Sequence, residues 1–100
     1  MSVTLVNLFT VPAGEEDAFA ARFEATVEAC KGMPGFVKTE LHRNAGVGDP
    51  SFAFVNIAVW ENAEAWRAAL PAIIQASGGL GGVIPKPALY DSVFRFPPDA

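Results

Sequence analysis

The chain reads as a single α+β domain in the order strand, helix, strand, strand, helix, strand. Three observations carry that reading. Four segments, at residues 3–11, 36–43, 52–60 and 88–96, are rich in β-branched and aromatic residues. Two intervening segments repeat apolar residues at helical spacing instead. Glycine and proline fall at the joints between them. Folded as a split βαβ unit, this order predicts a ferredoxin-like βαββαβ architecture, a four-stranded antiparallel sheet with both helices on one face.

Residues 3–11 (VTLVNLFTV) form the first predicted strand, and Pro12-Ala13-Gly14 stops it. Glu15, Glu16 and Asp17 then open a helix, where acidic side chains suit the positive end of the dipole. Phe19, Phe23, Val27 and Cys30 make one apolar stripe, with Arg22, Glu24 and Glu28 lying between. Lys31-Gly32 supply a basic last turn and a stop, and Pro34-Gly35 the turn into the second strand.

Residues 36–43 alternate, with Val37, Thr39 and Leu41 on one side and Lys38, Glu40 and His42 on the other. One wetter face marks an edge strand. Residues 44–51, with Gly46, Gly48, Asp49 and Pro50, form a hairpin loop. Residues 52–60 are apolar on both faces except at Asn56, as a central strand requires. The strands starting at Val3 and Phe52 are expected in the centre of the sheet as parallel neighbours.

Asn62 is a suitable N-cap for a helix whose stripe holds Trp66, Leu70, Ile73 and Ile74. Pro71 falls inside that pattern and predicts a kink or a break. Residues 77–82 (SGGLGG) make a flexible loop, and Pro85 and Pro87 hold the approach to the last strand extended.

Bulk properties narrow the function. One hundred residues hold one domain, spanning 1–100, and a chain of this size buries roughly 65% of its unfolded surface. A hydrophobic content of 51% exceeds what one small core needs, so a pocket or a subunit interface must absorb the rest. Helices cover only one side of such a sheet. The other side carries Ala53, Val55, Ile57 and Val59, or the alternating set, which predicts a homodimer closing sheet against sheet.

A net charge of −4 with scattered basic residues gives no footprint for nucleic acid. The lone Cys30 leaves no internal disulfide or cysteine zinc site, and no His, Cys, Asp or Glu group has metal-ligand spacing. The SGGLGG loop lacks the Lys-Ser/Thr ending of a phosphate loop. No basic leader and no apolar run of spanning length are present, so a cytoplasmic protein without a membrane partner is expected.

Trp60 is the foremost candidate for chemistry. Asn56, Ala58 and Trp60 share a face by alternation, so an amide and an indole flank a small residue. The plainer alternative is that Trp60 fills core at the sheet end. Asn7 and Asn56 each interrupt an apolar central strand, and a buried amide left unpaired costs on the order of 1–3 kcal/mol. At least one is expected to bond a ligand; the alternative is a mutual amide pair that fixes register. His42, the only histidine, is the natural general base near neutral pH, although a solvent-facing role suits its edge strand. Phe9, Phe23, Phe54, Trp66 and Tyr90 are candidate substrate contacts, with rim packing the alternative for Tyr90.

The Met33-Pro34-Gly35-Phe36 turn, the Trp60 strand running into a helix with Trp66, and the final LYDSVFRF together resemble the antibiotic biosynthesis monooxygenase superfamily over nearly the whole chain. The resemblance implies a dimeric α+β barrel with a small-molecule pocket between each subunit's helices and sheet. It implies that Trp60 lines that pocket, and that Asn7 stands where haem-degrading members place an asparagine. Their ligand histidine follows the second helix, whereas residues 76–87 contain none, which argues against haem.

The expected function is a small monooxygenase that needs no cofactor and uses molecular oxygen on an aromatic, quinol-like or polyketide-like molecule. The alternative is a dimeric small-molecule-binding or stress-response protein without catalysis. Haem degradation ranks third.

Overall fold

The computed structural model describes residues 2–79 and 81–98. Its elements follow the expected order: β1 (Val3–Thr10), α1 (Glu16–Cys30), β2 (Phe36–Arg43), β3 (Phe54–Trp60), α2 (Ala63–Ala76) and β4 (Ile84–Tyr90). The sheet is four-stranded in the order β2-β3-β1-β4, so the edge position of β2 and the central positions of β1 and β3 are as the hydropathy pattern implied. Every neighbouring pair is antiparallel.

That pairing corrects one expectation: β1 and β3 run in opposite directions. The α1 crossover makes β1 and β2 parallel, and the hairpin after β2 sends β3 back between them. The register sets Leu5 opposite Ala58, Asn7 opposite Asn56 and Phe9 opposite Phe54. Alternation then carries Leu5, Asn7, Phe9, Phe54, Asn56, Ala58 and Trp60 to the helix side.

The helix-side core forms two separate clusters. Phe9, Phe19, Phe54 and Val83 make one, with Phe19 centred 4.8 Å from Phe9 and 5.0 Å from Phe54. Leu5, Ala58 and Trp60 make the other, joined by Phe36, Ala65, Trp66, Ala69 and Ile73. Both helices therefore lie over the same sheet face, α1 mainly on the first cluster and α2 on the second.

Three local features depart from the sequence pattern. A bulge between Phe36 and Lys38 leaves Val37 half exposed and packs Phe36 edge-on against Trp60, with ring centres 5.3 Å apart. Helix α2 continues through Pro71 without a break. Proline removes one amide there, and the orphaned carbonyl is that of Arg67; both residues are on the wet side of the helix.

The last strand begins at Ile84 and ends at Tyr90, not at Phe96. Pro85 and Pro87 are tolerated because β4 is an edge strand, and residues of equal parity can turn their missing donors outward. Beyond Tyr90, which pairs with Thr4, β1 has almost ended and offers the chain no partner.

The Met33–Phe36 turn is fixed to the start of α2. Gly35 has φ +83°, its carbonyl accepts from the Glu61 amide at 2.8 Å, and a Cβ there would run into the Ala65 methyl. Asn62 caps α2 by accepting from the Ala65 amide at 2.8 Å. Gly46 has nearly the same φ, +82°, in open space. Urea unfolding is therefore expected to show about 1 kcal/mol lost in Gly46→Ala, from backbone strain alone, and about 2–4 kcal/mol in Gly35→Ala, where the clash adds. Equal losses would refute the packing role of Gly35.

Candidate functional site: a cavity between helices and sheet

The two core clusters are separated by amides. On β1 the sequence Leu5, Asn7, Phe9 faces the helices, and on β3 its counterpart is Ala58, Asn56, Phe54. Hydrocarbon does not close efficiently over two adjacent carboxamides, and the helices leave a cavity of about 360 Å³ above them. That volume lies at the small end of the range for ligand pockets.

The floor is Leu5, Asn7, Phe9, Asn56, Ala58 and Trp60, with Phe36 and Thr39 from β2 and Val83, Pro85 and Pro87 from the β4 side. Helix α1 contributes Phe19, Arg22, Phe23, Thr26, Val27 and Cys30, and α2 contributes Trp66, Leu70, Ile73 and Ile74. The walls are mainly apolar and aromatic, which suits a flat hydrophobic ligand.

The two amides do not bond to each other. Asn7 Oδ1 accepts from the Lys86 backbone amide at 3.0 Å, while Asn56 Oδ1 accepts from the Thr39 hydroxyl. Each oxygen is thus committed to the protein, and each carboxamide is oriented by that bond. Among the described residues neither Nδ2 group has an acceptor, and neither is sealed from the cavity. Asn56 is only 7% exposed, and what remains accessible of it lines the cavity floor. Trp60, 3% exposed, likewise has no acceptor for its indole N–H among the described residues.

Other polar groups on the walls are locally satisfied. Thr26 Oγ1 donates to the Arg22 carbonyl at 2.9 Å, and Ser77 Oγ to the Ile74 carbonyl at 2.6 Å. Burial pushes the Cys30 thiol above its ordinary value, so it stays neutral at physiological pH and is no nucleophile there.

Of the residues singled out from the sequence, Trp60, Asn56, Asn7, Phe9, Phe23 and Trp66 meet around this cavity. Three do not. His42 pairs with Val55 on β3, on the opposite face of the sheet, and its Nε2 lies 3.2 Å from Glu40 Oε1 at the surface. Tyr90, 56% exposed, shares that outer face across from Thr4. Phe54 points to the helix side but is buried under Phe19, behind the wall.

Sequence reasoning overlooked Arg22 and Thr39 as lining residues. Both were readable in principle: Arg22 follows Phe19 by three positions on the same helical stripe, and Thr39 precedes Leu41 by two on the dry side of β2.

Between the helices and the sheet of a ferredoxin-like domain the chain thus holds a partly open, mainly apolar pocket floored by two carboxamides and an indole. The chain belongs to the antibiotic biosynthesis monooxygenase family, whose model matches residues 2–71. It is 41% identical over 68 residues to the deoxynogalonate monooxygenase of Streptomyces nogalater, a match covering 68% of this chain and 54% of that protein. The chain thus spans about half the length of the curated relative it matches.

Among solved structures, SnoaB, a cofactor-independent oxygenase from Streptomyces nogalater, is 31% identical with a TM-score of 0.78, covering 96% of this chain and 97% of its own. The haem-degrader MhuD from Mycobacterium tuberculosis is 24% identical with a TM-score of 0.72, covering 93% of this chain and 97% of its own, and shares the fold. Among the described residues no helix is long and apolar enough to cross a membrane.

Two outcomes are expected. Thr39→Val strips Asn56 Oδ1 of its donor and should cost about 1–2 kcal/mol in urea unfolding; an unchanged midpoint would show that the bond is unimportant. A thiol whose pKa is raised on folding adds full stability below its unfolded value and loses it as pH rises through the folded one. Wild type should therefore lose stability relative to Cys30→Ala at alkaline pH, while their difference stays constant at neutral and acid pH. A difference that is flat throughout would contradict this.

Proposed function

We propose that the protein is a cofactor-independent monooxygenase that binds an aromatic, quinol-like or polyketide-like molecule in this cavity and oxidises it with molecular oxygen. The observation that carries the reading is the pair of unengaged carboxamide N–H groups on the cavity floor, beside the Trp60 indole. Donors fixed by bonds elsewhere need no reorganisation when negative charge appears on a ligand oxygen. Membership of the family and likeness to SnoaB support the reaction class.

In this mechanism Asn7, Asn56 and Trp60 stabilise the phenolate or enolate form of the bound ring, lowering the cost of its ionisation in an apolar site. The carbanion character of that anion supplies an electron to dioxygen. The radical pair joins to form a carbon–oxygen bond, and the resulting peroxide anion takes back from water at the cavity mouth the proton that the ring released there on ionising. Loss of water from it leaves a ring carbonyl, so one oxygen atom enters the substrate and the other leaves as water. All the electrons come from the substrate. Phe9, Phe23 and Trp66 hold the ring and exclude bulk water.

No side chain with an acid–base function near neutrality stands on the described cavity walls, so the rate should follow the ionisation of each substrate. A non-catalytic binding protein is the second reading, favoured by the position of the sole histidine outside the cavity.

We also place the protein as a cytoplasmic homodimer. Val55, Ile57 and Val59 lie on the sheet face opposite the helices, and Ile57 is 41% exposed. Val93, Phe94 and Phe96 are almost wholly exposed just beyond β4, adding apolar surface that calls for a cover.

Oxygen uptake with a panel of naphthohydroquinones, unaffected by chelators or added flavin, decides between the readings; binding without turnover selects the second. If the protein turns over, Asn56→Leu should lower kcat about 100-fold, the scale of one lost oxyanion donor, and His42→Ala should leave it within about twofold. A large loss in His42→Ala would overturn the mechanism. In analytical ultracentrifugation the wild type is expected as a dimer and Ile57→Lys as a monomer; a monomeric wild type would end the dimer proposal.

A further inference from the structure

Among the described residues one cation, Arg22, stands on the wall of a cavity whose other lining groups are uncharged at neutral pH. Arg22 lies on α1 between Phe19 and Phe23, and its guanidinium crosses to the loop after α2, where one nitrogen donates to the Gly79 carbonyl at 3.1 Å. A guanidinium carries five N–H donors, so most of its capacity is unused. Among the described residues no carboxylate lies within 4.0 Å of it, whereas Arg43 is paired with Asp17 at 2.9 Å.

The setting is unusual for a protein with a net charge of −4. An uncompensated positive charge beside low-dielectric aromatic walls attracts an anion more strongly than one in open water. Its present partner is a neutral carbonyl on a loop residue with φ +89°, a bond easily exchanged. A carboxylate would replace it with two parallel charge-assisted bonds.

We infer that Arg22 is the specificity-determining residue of the cavity and selects aromatic ligands that bear a carboxylate. This rests on the reading of the cavity as an aromatic-binding site. The ring would lie over Asn7 and Asn56 with its oxygen on their N–H groups, and its carboxylate would draw the guanidinium from Gly79. Gly79 then loses its tie to α1, so ligand charge and loop position are linked.

Isothermal titration calorimetry with anthraquinone-2-carboxylate and its neutral carboxamide tests this. The wild type should bind the acid at least about tenfold more tightly than the amide, the scale expected of hydrogen bonds to a charged group. Arg22→Gln should erase that preference by weakening the acid alone, and Arg22→Lys should keep part of it. Circular dichroism establishes that the variants are folded.

Equal wild-type affinity for the two ligands, or a preference surviving in Arg22→Gln, would overturn the role of Arg22 while leaving the aromatic site intact. Binding of neither ligand would overturn the aromatic site itself, and this inference with it.

Discussion

The antiparallel register of β1 and β3 sets Asn7 directly opposite Asn56, and most of the molecule's organisation follows from that alignment. Side chains in a strand alternate with a period of two, so a slip of one residue in either strand would turn that strand's amide to the outer face. It would also remove Phe9 and Leu5 from one strand, or Phe54, Ala58 and Trp60 from the other. The two apolar clusters hold the register from either side of the amides, through Phe19 packed at a tilt against Phe9 and Phe54 and through Trp66 near Trp60. The cavity is therefore a consequence of placing polar groups at the centre of a sheet whose ends pack well.

Commitment of both carboxamide oxygens gives the site its chemical sign. Had Asn7 and Asn56 paired with each other, the floor would offer a ligand little beyond surface area. Bonds from Lys86 on one edge strand and Thr39 on the other hold the oxygens outward along the sheet. What remains facing the cavity is donor capacity, joined by the Trp60 indole and by the Arg22 guanidinium on the helix side. A mainly apolar chamber whose two amides, indole and guanidinium offer donors favours ligands that carry or develop negative charge. Anionic intermediates of oxygenation and carboxylate substituents both meet that description, at different walls of one cavity.

Much of the architecture was legible because its signals are local and redundant. The dry β3 and half-wet β2 reveal their places in the sheet through alternation alone, and the stripe of Phe19, Phe23, Val27 and Cys30 reads directly as the buried side of α1. Misplaced features depend on partners distant in sequence. Strand β4 ends where β1 stops supplying neighbours, and its prolines are harmless only because β4 is an edge. The bulge that swaps Phe36 for Val37 depends on packing against Trp60. At the site, alternation was enough to bring Asn56 and Trp60 together, but the partners of the two amides come from Thr39 and Lys86, which no spacing rule connects to them. His42 was attractive as the only histidine, yet alternation in β2 already set it with Lys38 and Glu40 on the wet side, away from Thr39 and Leu41.

The most direct test of these ideas is a side-chain amide NMR titration with a naphthohydroquinone. The chain has four asparagines, at positions 7, 44, 56 and 62, so their N–H pairs can be assigned individually. Asn44 and Asn62 spend their side chains on the hairpin loop and the α2 cap, away from the cavity. Saturable downfield shifts of the Asn7 and Asn56 Nδ2 protons are expected, with Asn44 and Asn62 unmoved. Binding that leaves Asn7 and Asn56 unshifted would contradict their donor role.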